Sequence, residues 1–220
     1  MTLISKVKTL VEYAKLGEFT ARRLNGETLI DEVFFPRAIT KYTESWTNTC
    51  TRYCKKVTGY LKTFGGGGVF GTNKIVEEVD LPCCISFEVA EAHGPTGNVG
   101  EYNTVLKTVK MPSLRVITPR QFCNLQALEY LELGATTSFV SNTLIGSNSL
   151  TEFYVKEGTT SNIYLQHCPL ITKECLHLVI ENYADMSDNK APVFYVGAEN
   201  LAKIDKEYIT ILENKNIDYQ

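Results

Sequence analysis

A chain of 220 residues, 44% apolar and 21% charged with a net charge of -3, has the composition of an ordinary soluble globular protein with enough apolar mass for a core. So small a net charge, with no local run of Lys and Arg to offset it, gives no electrostatic reason to expect a nucleic-acid partner. No stretch approaches the roughly 18 apolar residues of a membrane span, and seven cysteines, an odd number spread along the chain, favour reduced thiols over a fully paired disulfide framework.

The first segment, "MTLISKVKTLVEYAKLG", sets Ile4, Val7, Val11 and Ala14 on one helical face ended by Gly17, which predicts a helical N-terminal cap over residues 1–28. Lys6, Lys8, Glu12 and Lys15 interrupt its apolar run, so it does not read as a signal peptide. The expectation is synthesis in the cytoplasm, unless an export signal has been removed.

From Ile30 onward one frame recurs. An apolar residue, two variable positions, an apolar residue, one variable position and a last apolar residue occur in "IDEVFF" from Ile30, "CKKVTG" from Cys54 and "VEEVDL" from Val76. The same frame returns in "LKTVKM" from Leu106, "LEYLEL" from Leu128 and "LTEFYV" from Leu150. The starts lie 24, 22, 30, 22 and 22 residues apart. A period near 22 with this frame is the leucine-rich-repeat signature, in which each unit gives one short strand to a parallel sheet. The second unit is the weakest, with Gly59 at its last apolar position. The 30-residue spacing is explained by a loop at residues 91–103, "EAHGPTGNVGEYN", whose functional role the sequence leaves open. Each strand is followed by apolar and then bulky residues: Ile39 and Trp46, Leu61, Phe64 and Phe70, Leu114, Ile117 and Phe122, Phe139 and Leu144. These are expected to fill the core one layer per unit, because a lone unit cannot bury its own apolar face.

The period fails after the sixth unit. "NIYLQHCP" reads as a last strand, and Thr172 as the cap of a helix carrying Leu176, Val179, Ile180 and Tyr183. "VFYVG" follows as a strand, and Asp205 starts a short helix with Tyr208, Ile209 and Leu212. The expected architecture is an α/β leucine-rich-repeat solenoid, with a parallel sheet of about six to seven short strands over residues 29–169, the helical cap at 1–28 and an α/β cap at 170–220.

These residues resemble a known family. Units such as "LKTVKMPSLRVITPRQFCNLQA", with Pro36, Pro82 and Pro112 just after the strand, are similar to the BspA-like leucine-rich repeats of bacteria. The ending from "CPLITKECLHLVIENYAD" is similar to a C-terminal cap common in proteins of gut bacteria and their phages. The resemblance implies a non-enzymatic binding or adhesion scaffold, at the cell surface or in a phage particle.

The strand positions that point away from the core alternate in sign from unit to unit. Asp31 and Glu32 are followed by Lys55 and Lys56, then Glu77, Glu78 and Asp80, then Lys107 and Lys110, then Glu129 and Glu132. Rows about 4.8 Å apart would then form a ladder of inter-unit ion pairs. Tyr130 and Tyr154 fall in adjacent rows flanked by Glu132 and Glu152, and exposed aromatics on a rigid sheet offer apolar area at low entropic cost. Together with Lys110 and Phe34 they form the candidate ligand-binding set on the concave face, for a protein or a glycan.

No metal site is expected: in "HCPLITKECLH", Cys175 and His177 stand two apart on a helix and point to different sides. Cys50, Cys123 and Cys168 read as core thiols, and one of the adjacent Cys83 and Cys84 as exposed. "GGGGVFGTNK" is glycine-rich but lacks the Gly-Lys-Ser/Thr ending of a phosphate loop. No cofactor and no catalytic residue is therefore expected. The readings carried forward are a recognition scaffold, a structural or host-contact component of a phage particle or appendage, and third a hydrolase, whose Cys-His pair would assemble in space. The sequence does not fix the oligomeric state.

Overall fold

The computed structural model describes residues 18–24, 27–44, 54–66, 75–88, 105–119 and 121–220. The chain is α/β, and its main sheet has seven strands. They lie in the order β1 (Glu18–Leu24), β2 (Glu27–Phe35), β4 (Cys54–Gly59), β6 (Glu78–Asp80), β8 (Thr108–Met111), β10 (Tyr130–Leu133) and β12 (Glu152–Tyr154). β1 runs antiparallel to β2, and every later pair is parallel. Behind them β3 (Lys41–Glu44), β5 (Thr63–Gly66) and β7 (Ser86–Glu88) form a second parallel ladder, and β9 (Val116–Ile117) and β11 (Ser138–Phe139) a parallel pair.

The register of the main sheet follows the repeated frame. Its fourth position aligns Val33 with Val57, Val79, Val109, Leu131 and Phe153 across six neighbouring strands, and all six side chains are buried. The first positions from Cys54 to Leu150 and the last ones at Phe35, Leu81, Met111, Leu133 and Val155 are buried as well. Each fully buried Val, Leu or Phe stabilises by about 1.5–3 kcal/mol relative to exposure. A one-residue slip would turn this set outward, so burial fixes the register.

The layer behind the sheet is aromatic. Phe35 packs on Tyr42 at 5.0 Å between ring centroids; Tyr42, Phe64, Phe87 and Phe122 then stack in series at 6.2, 5.9 and 5.9 Å. Buried polar side chains satisfy the turns between layers, where main-chain groups would otherwise lack partners. Gln121 donates from Nε2 to the Phe87 carbonyl at 2.9 Å and accepts the Thr118 amide at 2.9 Å. Ser147 donates to the Phe122 carbonyl at 2.7 Å.

Helix α1 (Lys173–Asn182) takes the place beside β12 that another strand would fill. Thr172 accepts the Cys175 amide as N-cap, and its own amide donates to the Thr151 carbonyl at 2.9 Å. The Asn182 amide group donates to the Val155 carbonyl at 2.8 Å, so both ends of α1 are tied to the edge. The short α2 (Ala198–Leu201) and α3 (Lys206–Asn214) follow, α3 packing on α1. β13 (Ile163–Tyr164), β14 (Val193–Tyr195) and β15 (Asp218–Tyr219) make a three-stranded parallel sheet. Lys215 donates to the Glu181 and Tyr183 carbonyls at 2.6 Å each, placing a cation at the C-terminal end of α1. One hydrophobic cluster runs from Val33 to Ile217, so these last elements share their core with the repeated strands.

Three details differ from or fall outside the sequence reading. The part of the 1–28 cap that begins at Glu18 is β1, a strand hairpinned to β2, while the helix read over Ile4 to Ala14 lies outside the described residues, as do Trp46, Cys50, Phe70 and the 91–103 loop. "NIYLQHCP" supplies β13, which pairs with β14 and leaves the main sheet to end at β12. Gly59, the apparent flaw in the second unit, has φ +123°, and a Cβ there would overlap the Phe35 backbone. The position is glycine because Phe35 passes so close. Gly59→Ala is expected to cost about 2 kcal/mol or more, read as a lower urea midpoint; an unchanged midpoint would mean that the two strands part freely there.

Candidate functional site

The outward face of the main sheet is set by the same alternation that buries the frame: between two buried positions one side chain must point to solvent. Its rows are in register, with Glu32 beside Lys56, Lys56 beside Glu78, Asp80 beside Lys110, and Lys110 beside Glu132. Two rungs of the expected ion-pair ladder are closed, Lys55 to Glu77 at 2.7 Å and Lys56 to Glu78 at 2.8 Å. Glu78 holds the Lys56 ammonium above its ordinary pKa. Thr58 donates to Glu32, tying the first row to the second. These side chains are about a third or more exposed, so each pair contributes at most about 1 kcal/mol.

The tyrosines come together as the frame requires. Tyr130 sits opposite Glu152 and Glu132 opposite Tyr154, a checkerboard of two phenols and two carboxylates. The rings lie 5.3 Å apart at 41°, both half-buried. Tyr130 donates to Glu132 at 3.2 Å and Tyr154 to Glu152 at 2.9 Å, each along its own strand. The Lys110 ammonium stands 5.2 Å from the Tyr130 ring centroid, within cation–π range. Burial and the Glu132 carboxylate push the Tyr130 phenol up to about 12. The Cys175 thiol, burial and Glu152 push the Tyr154 phenol up further. Both rings are neutral donors at neutral pH.

Phe34 does not join them. It lies on β2, four strands from β10 and so about 19 Å away. There it meets Tyr60 edge-on at 6.0 Å, and the Arg37 guanidinium covers the Tyr60 ring at 4.6 Å. Cys175 is the neighbour that the strand frame gives no means of finding, because it reaches Tyr154 from α1, outside the repeated pattern.

The cysteines and histidines have other surroundings. Cys84, Cys123 and Cys168 are buried and Cys83 is partly exposed; burial pushes Cys84 up to about 11 and Cys168 up to about 12. His177 stacks on Tyr208 at 3.6 Å and accepts the Asp205 amide at 3.4 Å, which fastens α1 to α3. His167 lines a cleft of about 400 Å³ with Asn148, Gln166 and Glu199. Among the described residues no group of three or more His, Cys, Asp and Glu is placed to hold a metal ion, and no helix is long and apolar enough to cross a membrane.

Compared with known proteins, the chain matches no family model, no curated protein and no solved structure.

Two outcomes follow from this geometry. Changing Lys55 and Lys56 together to Glu sets three acidic rows side by side, and is expected to lower stability by roughly 1–2 kcal/mol, with the loss shrinking in 1 M salt; equal urea midpoints would remove the ladder from the account. For Tyr130 the folded pKa lies above the ordinary value of 10, so its contribution is complete below about pH 10 and is lost as pH rises toward about 12. Urea titrations across that window should show a smaller loss for Tyr130→Phe than for the wild type.

Proposed function

We propose that the chain is a leucine-rich-repeat scaffold of the BspA-like kind that recognises a protein or glycan through the outward face of its main sheet and carries out no catalysis. The repeat reading is supported by the frame, which sets six strands in parallel register with its apolar positions buried. The observation that carries the functional reading is the tyrosine pair: two rings 5.3 Å apart, half-buried on the same sheet face whose β4 and β6 rows pair their charges with each other. Large amphipathic rings held by a sheet present contact area that is already ordered, which lowers the entropic cost of binding. The non-enzymatic part of the proposal draws on the thiols at Cys84 and Cys168, which burial keeps protonated at neutral pH and so poor as nucleophiles. No cofactor is invoked.

The test compares the wild type with the Tyr130→Ala/Tyr154→Ala double variant on peptide and glycan arrays, followed by titration of every ligand retained. Binding that weakens at least tenfold in the double variant is the expected result, and equal retention of every ligand would overturn the reading. Light scattering across a concentration series addresses the second class, a component of a phage particle or appendage. The recognition module is expected to stay monomeric, whereas a stable trimer or ring would favour the appendage.

A further inference from the structure

We propose that the strip formed by β10 and β12 is selective for a basic peptide, seating an arginine or lysine side chain against the exposed faces of the Tyr130 and Tyr154 rings and beside the carboxylates of Glu132 and Glu152. The inference rests on the reading of this face as a binding surface and names its partner.

Charge is distributed unevenly along the face. Rows β4 and β6 meet as bases against acids, with two ion pairs closed between them. The outward positions of β10 and β12 are Tyr130, Glu132, Glu152 and Tyr154, with no lysine or arginine among them. Ordinary alternation would make β12 itself a basic row, but it carries Glu152, and the main sheet ends there with α1 alongside. What α1 brings to Tyr154 is the Cys175 thiol, and the one lysine of that helix, Lys173, is turned to Asp205 at 2.7 Å. Two acidic rows therefore stand side by side at the end of the sheet, with no basic strand beyond them.

The chain displays the matching chemistry once with its own side chain. Lys110 holds its ammonium 5.2 Å from the Tyr130 ring, in the row directly beside Glu132. The same combination of ring and carboxylate is repeated one strand further on, where Tyr154 donates to Glu152. A guanidinium suits that place because it stacks on an aromatic face and pairs with a carboxylate at the same time. The phenols remain neutral at physiological pH, so the carboxylates carry the charge that selects the ligand. A neutral sugar would use the rings and gain nothing from that charge.

The probe is a fluorescein-labelled Gly-Ser peptide with two arginines, compared by anisotropy with the same peptide carrying citrulline, which keeps the shape and removes the charge. Neutral oligosaccharides serve as the third probe, and the full chain is used throughout. The arginine peptide should bind at least tenfold more tightly than the citrulline one and weaken as salt rises from 50 to 300 mM. It should also lose at least tenfold in Glu132→Gln/Glu152→Gln while Glu157→Gln/Glu213→Gln, at exposed positions elsewhere, binds as the wild type does. Equal binding of the two peptides, or equal loss in both pairs of variants, would overturn the inference. A neutral oligosaccharide whose binding depends on Tyr130 and Tyr154 but is untouched by the Glu→Gln changes would overturn it too, and leave the face itself as the binding surface. If no probe depends on the tyrosines, both readings fall. Circular dichroism melts confirm that each variant is folded, and the Glu→Gln changes are conservative enough to keep the test open should the alanine variant unfold.

Discussion

Everything in this molecule depends on the parallel register of one buried row, Val33, Val57, Val79, Val109, Leu131 and Phe153. Because strand side chains alternate with period two, holding that row in the core fixes every outward neighbour as well. The ion pairs between β4 and β6 and the contact between Tyr130 and Tyr154 are consequences of it. Hydrophobic burial supplies the energy here, and the polar groups on the outer face take whatever positions that burial assigns them.

The aromatic stack behind the sheet works by the same logic at a second radius. Tyr42, Phe64, Phe87 and Phe122 are spaced closely enough for their rings to touch, so each layer is felt by the next. The buried amide of Gln121 and the hydroxyl of Ser147 close the turns to which the stack is attached. A unit with the right strand and the wrong turn would leave main-chain groups without partners inside the core, which costs more than the strand could return.

Much of this was legible in the sequence, and the exceptions have physical causes. The frame gave the strands and their outward faces because a period of two inside a period of 22 is a strong signal, and Thr172 marks the start of α1 because capping is local, whereas Asp205 stands at the start of α3 with its carboxylate turned to Lys173. Tyr42 and Phe87 carry no signal in the sequence, since the positions behind the strand vary in spacing. β1 was missed because it earns its place only by pairing with β2, which is a tertiary matter. Gly59 looked like a defect until the path of the Phe35 backbone supplied its reason. At the candidate site the sequence placed Tyr130, Tyr154, Glu132, Glu152 and Lys110 together, but it could not separate Phe34 from them or bring Cys175 in, since distance along a sheet and the reach of a helix both lie outside a strand pattern.

Substituting a helix for a strand beside β12 makes the architecture directional. The carbonyls of Thr151 and Val155 at that border are already engaged by Thr172 and Asn182, so another unit cannot simply be appended there. Lengthening on this side calls for internal duplication, and each duplication would add one row, about 4.8 Å, between older rows whose signs it must respect. The tyrosine strip would travel outward intact with the terminus that bounds it, so the length of the sheet and the make-up of its last two rows can change separately.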